Sequence, residues 1–191
     1  MECVFNAKPQ LKTPVHHVAE WYMLPHCITP LLAGCFNLRK LSIFQSTTSG
    51  PWLSGDEVVR HLIRPLSRST STLEVLILDL VTKVRPINLG ILPKFKRLKK
   101  LQLSAEMILC PPRTPVGGQS IHELPESLRI LEIDVGRGKQ SQWRLHPALL
   151  KYVEDDQLSR SHTELTILNK QSASRDSKLA RACERRGITL G

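Results

Sequence analysis

A dense cluster of positive charge is the first feature of the sequence that could do chemistry. Its members are Lys94, Lys96, Arg97, Lys99 and Lys100. Such a cluster can contact phosphate groups or act as a nuclear-localisation signal, but lysine is also an ordinary solvated residue at a turn that enters a strand. Phe95 is the nearest ring, and the leucine pattern described below places it in the core, so the cluster has no stacking platform. Nucleic-acid association is therefore the alternative function.

Residues that could bind a metal or catalyse a reaction are few and poorly spaced. His26, Cys27 and Cys35 do not match a usual zinc spacing, and no second cysteine pair follows. The stretch 136–139 lacks the remaining residues of a phosphate loop and is typical of a turn. Asp155 and Asp156 are adjacent at a helix end, where their side chains diverge. We therefore expect a non-enzymatic protein without metal or cofactor.

A repeated leucine pattern predicts the elements that position the remaining candidate residues. Leucine or isoleucine recurs in the frame Leu, two residues, Leu, one residue, Leu, at intervals of about 25 to 35 residues. The four copies are Leu38, Leu41 and Ile43; Leu73, Leu76 and Leu78; Leu98, Leu101 and Leu103; and Leu128, Leu131 and Ile133. Weaker copies surround Trp21 and Leu165. This series is typical of a short leucine-rich solenoid with about five or six repeats.

The residues between the leucines are predicted to point to the opposite, concave face, because side chains alternate along a strand. Candidate partner-binding residues on this face are Lys40, Val75, Ile77, Lys100, Ile130 and Glu132. Val75, Ile77 and Ile130 would be apolar anchors on an otherwise polar surface. Alternatively, the loop 111–118 covers them, or the face is partly buried.

Helical patterns alternate with these strands. Thr29 could cap a helix that starts at Pro30, and the spacing of Ser54 and Glu57 is that of a capping box. Further helices are predicted over 147–158 and 176–186, the second ending at Gly187. We therefore predict an α/β leucine-rich solenoid with a mainly parallel sheet and helices on its convex side. Residues 1–17 would be irregular, and 18–191 would form one domain.

Composition bounds the setting of the protein. The 191 residues are 41% hydrophobic and only 5% aromatic, so the core must be mainly aliphatic. Five irregularly spaced cysteines favour a reducing compartment, either cytoplasm or nucleus. No apolar run reaches the ~18 residues of a membrane span. The net charge of +10 favours acidic partners without naming one.

Four phrases in the chain resemble the leucine-rich-repeat regions of fungal F-box-type proteins. They are Cys35-Phe-Asn-Leu-Arg-Lys-Leu-Ser-Ile43, Leu73-Glu-Val-Leu-Ile-Leu78, Leu124-Pro-Glu-Ser-Leu-Arg-Ile-Leu-Glu-Ile133 and Ala182-Cys-Glu-Arg-Arg-Gly-Ile-Thr-Leu190. The resemblance implies a protein-protein interaction surface that selects substrates for a ubiquitin ligase. Prolines interrupt the region before the first clear repeat, which shows no F-box. Coupling to a ligase adaptor is therefore expected only if an F-box lies upstream of this sequence.

Overall fold

The computed structural model describes residues 16–21, 25–45, 55–79, 90–108, 124–134, 147, 149–154, 163–168 and 177–191. Within these residues the protein is an α/β fold built on seven parallel strands, whose order in the sheet is their order in the chain. The strands are β1 (His16–Trp21), β2 (Lys40–Gln45), β3 (Val75–Asp79), β4 (Lys100–Ser104), β5 (Ile130–Asp134), β6 (Glu164–Leu168) and β7 (Thr189–Leu190). The predicted α/β class and parallel sheet are confirmed.

Helical segments lie between most of these strands, as parallel neighbours require a crossover from the end of one strand to the start of the next. The α-helices are α1 (Pro25–Gly34), α2 (Gly55–Val58), α3 (Ala105–Ile108), α4 (149–154) and α5 (Ser177–Arg185). Helix α2 continues as a π-helix, Val59–Ile63, and then as a 3₁₀-helix, Arg64–Ser69. We call this continuous stretch, residues 55–69, the second helical segment. A short 3₁₀-helix, Leu92–Lys94, precedes β4.

The repeated leucines form continuous buried rows across the sheet. Their first row in the strands consists of Leu41, Leu76, Leu101, Leu131 and Leu165, which are consecutive partners in the register. The second row consists of Ile43, Leu78, Leu103, Ile133 and Ile167. All ten side chains are buried. Because the side chains alternate, the residues between these rows face the other side of the sheet.

The helices cover the leucine face. Val58, Leu62, Ile63 and Leu66 are buried in the same hydrophobic cluster as the strand leucines, together with Tyr152 of α4 and Leu179 of α5. Val58, Leu62, Ile63 and Leu66 therefore form the apolar side of the second helical segment, which packs against the sheet. Arg60, Arg64 and Arg68 are exposed on its other side. The core therefore lies between the sheet and one helical layer.

The start of the first helix was predicted wrongly. Helix α1 begins at Pro25, so Thr29 lies inside it rather than at its N-cap. Its hydroxyl lies 3.0 Å from His61 Nδ1 and donates to the His61 carbonyl oxygen at 3.3 Å. Pro65 has no N–H with which to bond that carbonyl four residues earlier, so Thr29 supplies a donor in its place. This contact joins α1 to the second helical segment.

The end of α5 matches the predicted stop at Gly187. Gly187 has a φ of 67°, which favours glycine, and its N–H donates to the Glu184 carbonyl at 3.0 Å. The Ile188 N–H donates to the Cys183 carbonyl at 2.9 Å. These two bonds form a Schellman motif, which reverses the chain so that β7 can pair with β6.

At the N-terminal end, β1 begins at His16 rather than at Val18. His16 and His17, which we assigned to an irregular segment, are therefore the first residues of a strand. Their register partners are Lys40 and Leu41 of β2.

Candidate interaction surface

The sheet face opposite the helices carries all six predicted partner-binding residues, and we call it the open face. Two lateral rows cross it. The first contains Lys40, Val75, Lys100, Ile130 and Glu164, and the second contains Ser42, Ile77, Gln102, Glu132 and Thr166, each in register with the next. Ser42 is buried and the other nine are half-buried. Apart from Ser42, the open face therefore presents side chains that are held by their neighbours but still accessible.

An ion pair lies at the centre of the open face. Lys100 Nζ donates to Glu132 Oε1 at 2.6 Å, across the boundary between β4 and β5. The two side chains keep 32% and 14% of their surface exposed, so the pair is only partly solvated. A charge-assisted hydrogen bond in such surroundings is stronger than a fully exposed ion pair. It fixes the positions of both charged groups on this face.

The three apolar candidates lie around this pair but do not form one continuous row. Val75 and Ile77 are neighbours on the open side of β3. Ile130 lies in the same row as Val75 but two strands away, with Lys100 between them. The extended lysine stem separates the apolar side chains and its ammonium reaches Glu132. The sequence therefore predicted which side of the sheet these residues face. How far apart the apolar anchors lie depends on the register between neighbouring strands.

The basic cluster divides between two surfaces. Lys94, Lys96, Arg97 and Lys99 are exposed in the turn before β4, while Lys100 lies on the open face and pairs with Glu132. Lys99 Nζ is 3.9 Å from Glu74 Oε2, a long and exposed contact. Phe95 is completely buried, as its position in the leucine frame predicted. The cluster therefore consists of four exposed basic residues and of Lys100, which is half-buried and paired on the open face.

Hydroxyl groups hold the turns before the strands in place. The Thr72 hydroxyl donates to the Leu38 carbonyl at 3.1 Å, and the Ser127 hydroxyl donates to the Leu98 carbonyl at 2.9 Å. Both residues immediately precede the first leucine of a repeat. Arg97 occupies the same position before Leu98, where it projects a charge instead of a hydroxyl.

Sequence reasoning missed one exposed aromatic residue, Phe36. It retains 59% of its surface and is the exposed large hydrophobic residue of the described part of the chain. Arg68 Cζ lies 5.2 Å from the centre of its ring, a cation–π contact, and Arg68 Nη1 donates to the Ala33 carbonyl at 3.2 Å. The frame itself contained the signal, because Phe36 stands two residues before Leu38, where Lys96 stands before Leu98.

Outside these surfaces, a groove of about 590 Å³ lies between α4 and α5. Among the described residues, its lining is formed by Leu150, Glu154, Lys178, Arg181, Glu184 and Arg185. Arg185 Nη2 lies 3.6 Å from Glu154 Oε1, and Arg186 Nη2 donates to the Glu154 carbonyl at 2.7 Å. The groove is a charged junction between two helices, with both signs of charge at its rim.

The candidate metal and catalytic residues are only partly covered by the structure. Burial raises the pKa of the Cys35 and Cys183 thiols, so both are weaker nucleophiles than a solvated cysteine. Among the described residues, no group of three or more His, Cys, Asp or Glu side chains could hold a metal ion. The side chains of His26 and Cys27, the stretches 111–118 and 136–139, and Asp155 and Asp156 lie outside the described residues.

None of the helices in the described ranges is long and apolar enough to cross a membrane. Comparison with protein-family models, with curated proteins and with solved structures found no match.

Proposed function

We propose that this chain is a short leucine-rich solenoid that binds a protein partner through the open face. Each well-formed copy of the leucine frame supplies one parallel strand, and the strands are stacked in chain order. The frame leucines meet in register to form one core, as expected when each repeat buries its apolar side against its neighbours. This arrangement leaves the open face as the broad surface that the described helices do not cover.

The observation that carries the proposal is the mixture of side chains around the Lys100–Glu132 pair. Val75, Ile77 and Ile130 are half-buried and flank a charged pair of fixed geometry. Interaction surfaces derive affinity from a few apolar anchors and orientation from polar groups around them. A partner with apolar side chains that reach both β3 and β5 would contact these anchors, and its polar groups could be oriented by the ion pair.

The resemblance to fungal F-box-type repeats extends this proposal. By analogy, the open face would select substrates for a cullin-RING ubiquitin ligase, in the cytoplasm or the nucleus. An F-box is needed to contact the ligase adaptor, so this role applies only if such a segment lies upstream of the repeats. Binding through the open face does not depend on that segment.

The proposal is tested by capturing partners with the tagged chain from lysate treated with nuclease. The wild type is compared with Ile77→Asp and with Arg60→Asp. Ile77 lies in the centre of β3 on the open face, whereas Arg60 is exposed in the helical layer. Both variants add a carboxylate, so a difference between them reports the position of the charge rather than its sign.

We expect protein partners to be retained by the wild type and by Arg60→Asp but lost with Ile77→Asp. Thermal unfolding of the three proteins must be compared in parallel. Unfolding of Ile77→Asp at a much lower temperature would show that Ile77 belongs to the core. Equal capture by two equally stable variants would show that the open face does not bind the partner.

A further inference from the structure

The edge of the sheet at which the strands begin carries more positive charge than the sequence cluster alone. The residues just before β2, β3, β4 and β5 are joined by a series of backbone hydrogen bonds, each 2.8 Å long, which we call the ladder. The Glu74 N–H donates to the Arg39 carbonyl, and the Lys99 N–H donates to the Glu74 carbonyl. The Arg129 N–H then donates to the Lys99 carbonyl. Arg39 and Arg129 therefore lie on the same edge as Lys99. We call this edge, with its preceding turns, the entry edge.

The turns that precede these strands add to the same charged surface. The Lys96 N–H donates to the Thr70 carbonyl at 3.1 Å, which places the turn before β4 against the turn before β3. The Ser69 hydroxyl donates to the Cys35 carbonyl at 2.7 Å, and this bond holds the segment before β3 against the segment before β2. The exposed basic residues gathered here are Arg39, Lys94, Lys96, Arg97, Lys99 and Arg129. They come from three separate parts of the chain.

Two carboxylates also lie on the entry edge. Glu74 is between Arg39 and Lys99 in the ladder and makes the long contact with the Lys99 ammonium at 3.9 Å. Glu126 is exposed two residues before Leu128. Six basic residues against two acidic ones leave the described part of the edge strongly positive. An anionic partner is favoured, but charge alone does not distinguish a nucleic acid from an acidic protein.

Phe36 distinguishes between these two partners. Its ring lies in the turn before β2, on the entry edge, and keeps 59% of its surface exposed. The Arg68 guanidinium packs over the ring at 5.2 Å from its centre and adds a further positive charge. An exposed ring beside a positive surface is the combination with which proteins bind single strands: cations follow the phosphates, and the ring stacks on a base. Charge attraction to an acidic peptide does not require an aromatic ring, so the ring favours the nucleic acid.

We propose that the entry edge binds single-stranded nucleic acid, with Phe36 as the base-stacking residue and the basic residues as phosphate contacts. Arg39 and Arg129 are separated by three strand intervals, or about 14 Å at the usual spacing. This length corresponds to about four nucleotides of a stacked strand. The site uses none of the partner-binding residues proposed for the open face, although Lys99 adjoins Lys100 in the chain.

The test measures fluorescence anisotropy of labelled 20-nucleotide oligo-dT and oligo-U over a series of salt concentrations. The variants are Phe36→Ala and a triple change of Lys96, Arg97 and Lys99 to Gln. The matched control changes Arg60, Arg64 and Lys151 to Gln, because these three residues are also basic and exposed in the helical layer. Poly-glutamate serves as a competitor that carries negative charge without bases.

We expect Phe36→Ala to weaken binding about 5- to 150-fold without changing the salt dependence. The triple variant should weaken binding and reduce the slope of log affinity against log salt by about 2. The control variant should bind as the wild type does. Lack of binding by the wild type at low salt would overturn the proposal. The proposal would also be overturned if Phe36→Ala bound as tightly as the wild type, or if poly-glutamate displaced the labelled strand as efficiently as unlabelled oligonucleotide does. Either result would show that binding depends on net charge alone.

Discussion

Replacing Leu101 by alanine should strongly destabilise the protein, whereas replacing the next residue should not. Leu101 is completely buried at the middle of the first leucine row, with Leu76 and Leu131 on either side. Strands on both sides limit how far the structure can collapse into the space left by the missing side chain. The cost for buried leucines is about 3 to 5 kcal/mol. For a chain of this size we expect the melting temperature to fall by about 6 to 20 °C.

The matched control is Gln102→Ala, because Gln102 lies on the open face of the same strand. Its truncation should change the free energy of unfolding by about 0.5 kcal/mol or less. Urea unfolding followed by circular dichroism at several wavelengths measures both variants. Similar losses from the two changes, or a larger loss from Gln102→Ala, would refute the register. A shift of one residue exchanges the two faces of every strand.

Two further predictions concern the ion pair and a buried thiol. A double-mutant cycle with Lys100→Met and Glu132→Gln should give a favourable coupling energy of about 1 to 2 kcal/mol, because the charges are close and partly desolvated. Urea unfolding of the four proteins measures this energy, and a coupling near zero would contradict the described geometry. Native alkylation with iodoacetamide should leave Cys183 unmodified until the protein unfolds, since the thiol is buried and its pKa is raised. Peptide mass spectrometry showing early modification of Cys183 would count against the packing of α5.

The strands were predictable because their signal is local and repeated. The frame in Leu73, Leu76 and Leu78 recurs with little change, and a two-residue alternation then assigns each intervening residue to the open face. Gly187 was similarly informative, because a glycine after a helix with basic residues in its last turns is typical of a helix end. Such signals do not depend on distant parts of the chain.

Other features depended on contacts between residues far apart in sequence. Thr29 has the residue type of an N-cap and precedes a proline, but its hydroxyl contacts His61, about one repeat further along the chain. The alternation of side chains predicted that Lys100 lies on the open face, but its ion pair with Glu132 on the neighbouring strand follows only from the register. Phe36 and Arg68 are likewise brought together only by the stacking of turns. Local patterns predicted the strands and the faces of their residues, whereas the contacts across each surface depended on how the strands and turns stack.

The most direct test of binding through the open face is photo-crosslinking with a benzoyl-phenylalanine residue introduced at position 102 or position 60. Gln102 lies at the centre of the open face, and Arg60 is exposed in the helical layer. In nuclease-treated lysate, we expect discrete protein adducts from position 102 and none of the same adducts from position 60. Adducts that form from position 60 but not from position 102 would contradict binding through the open face.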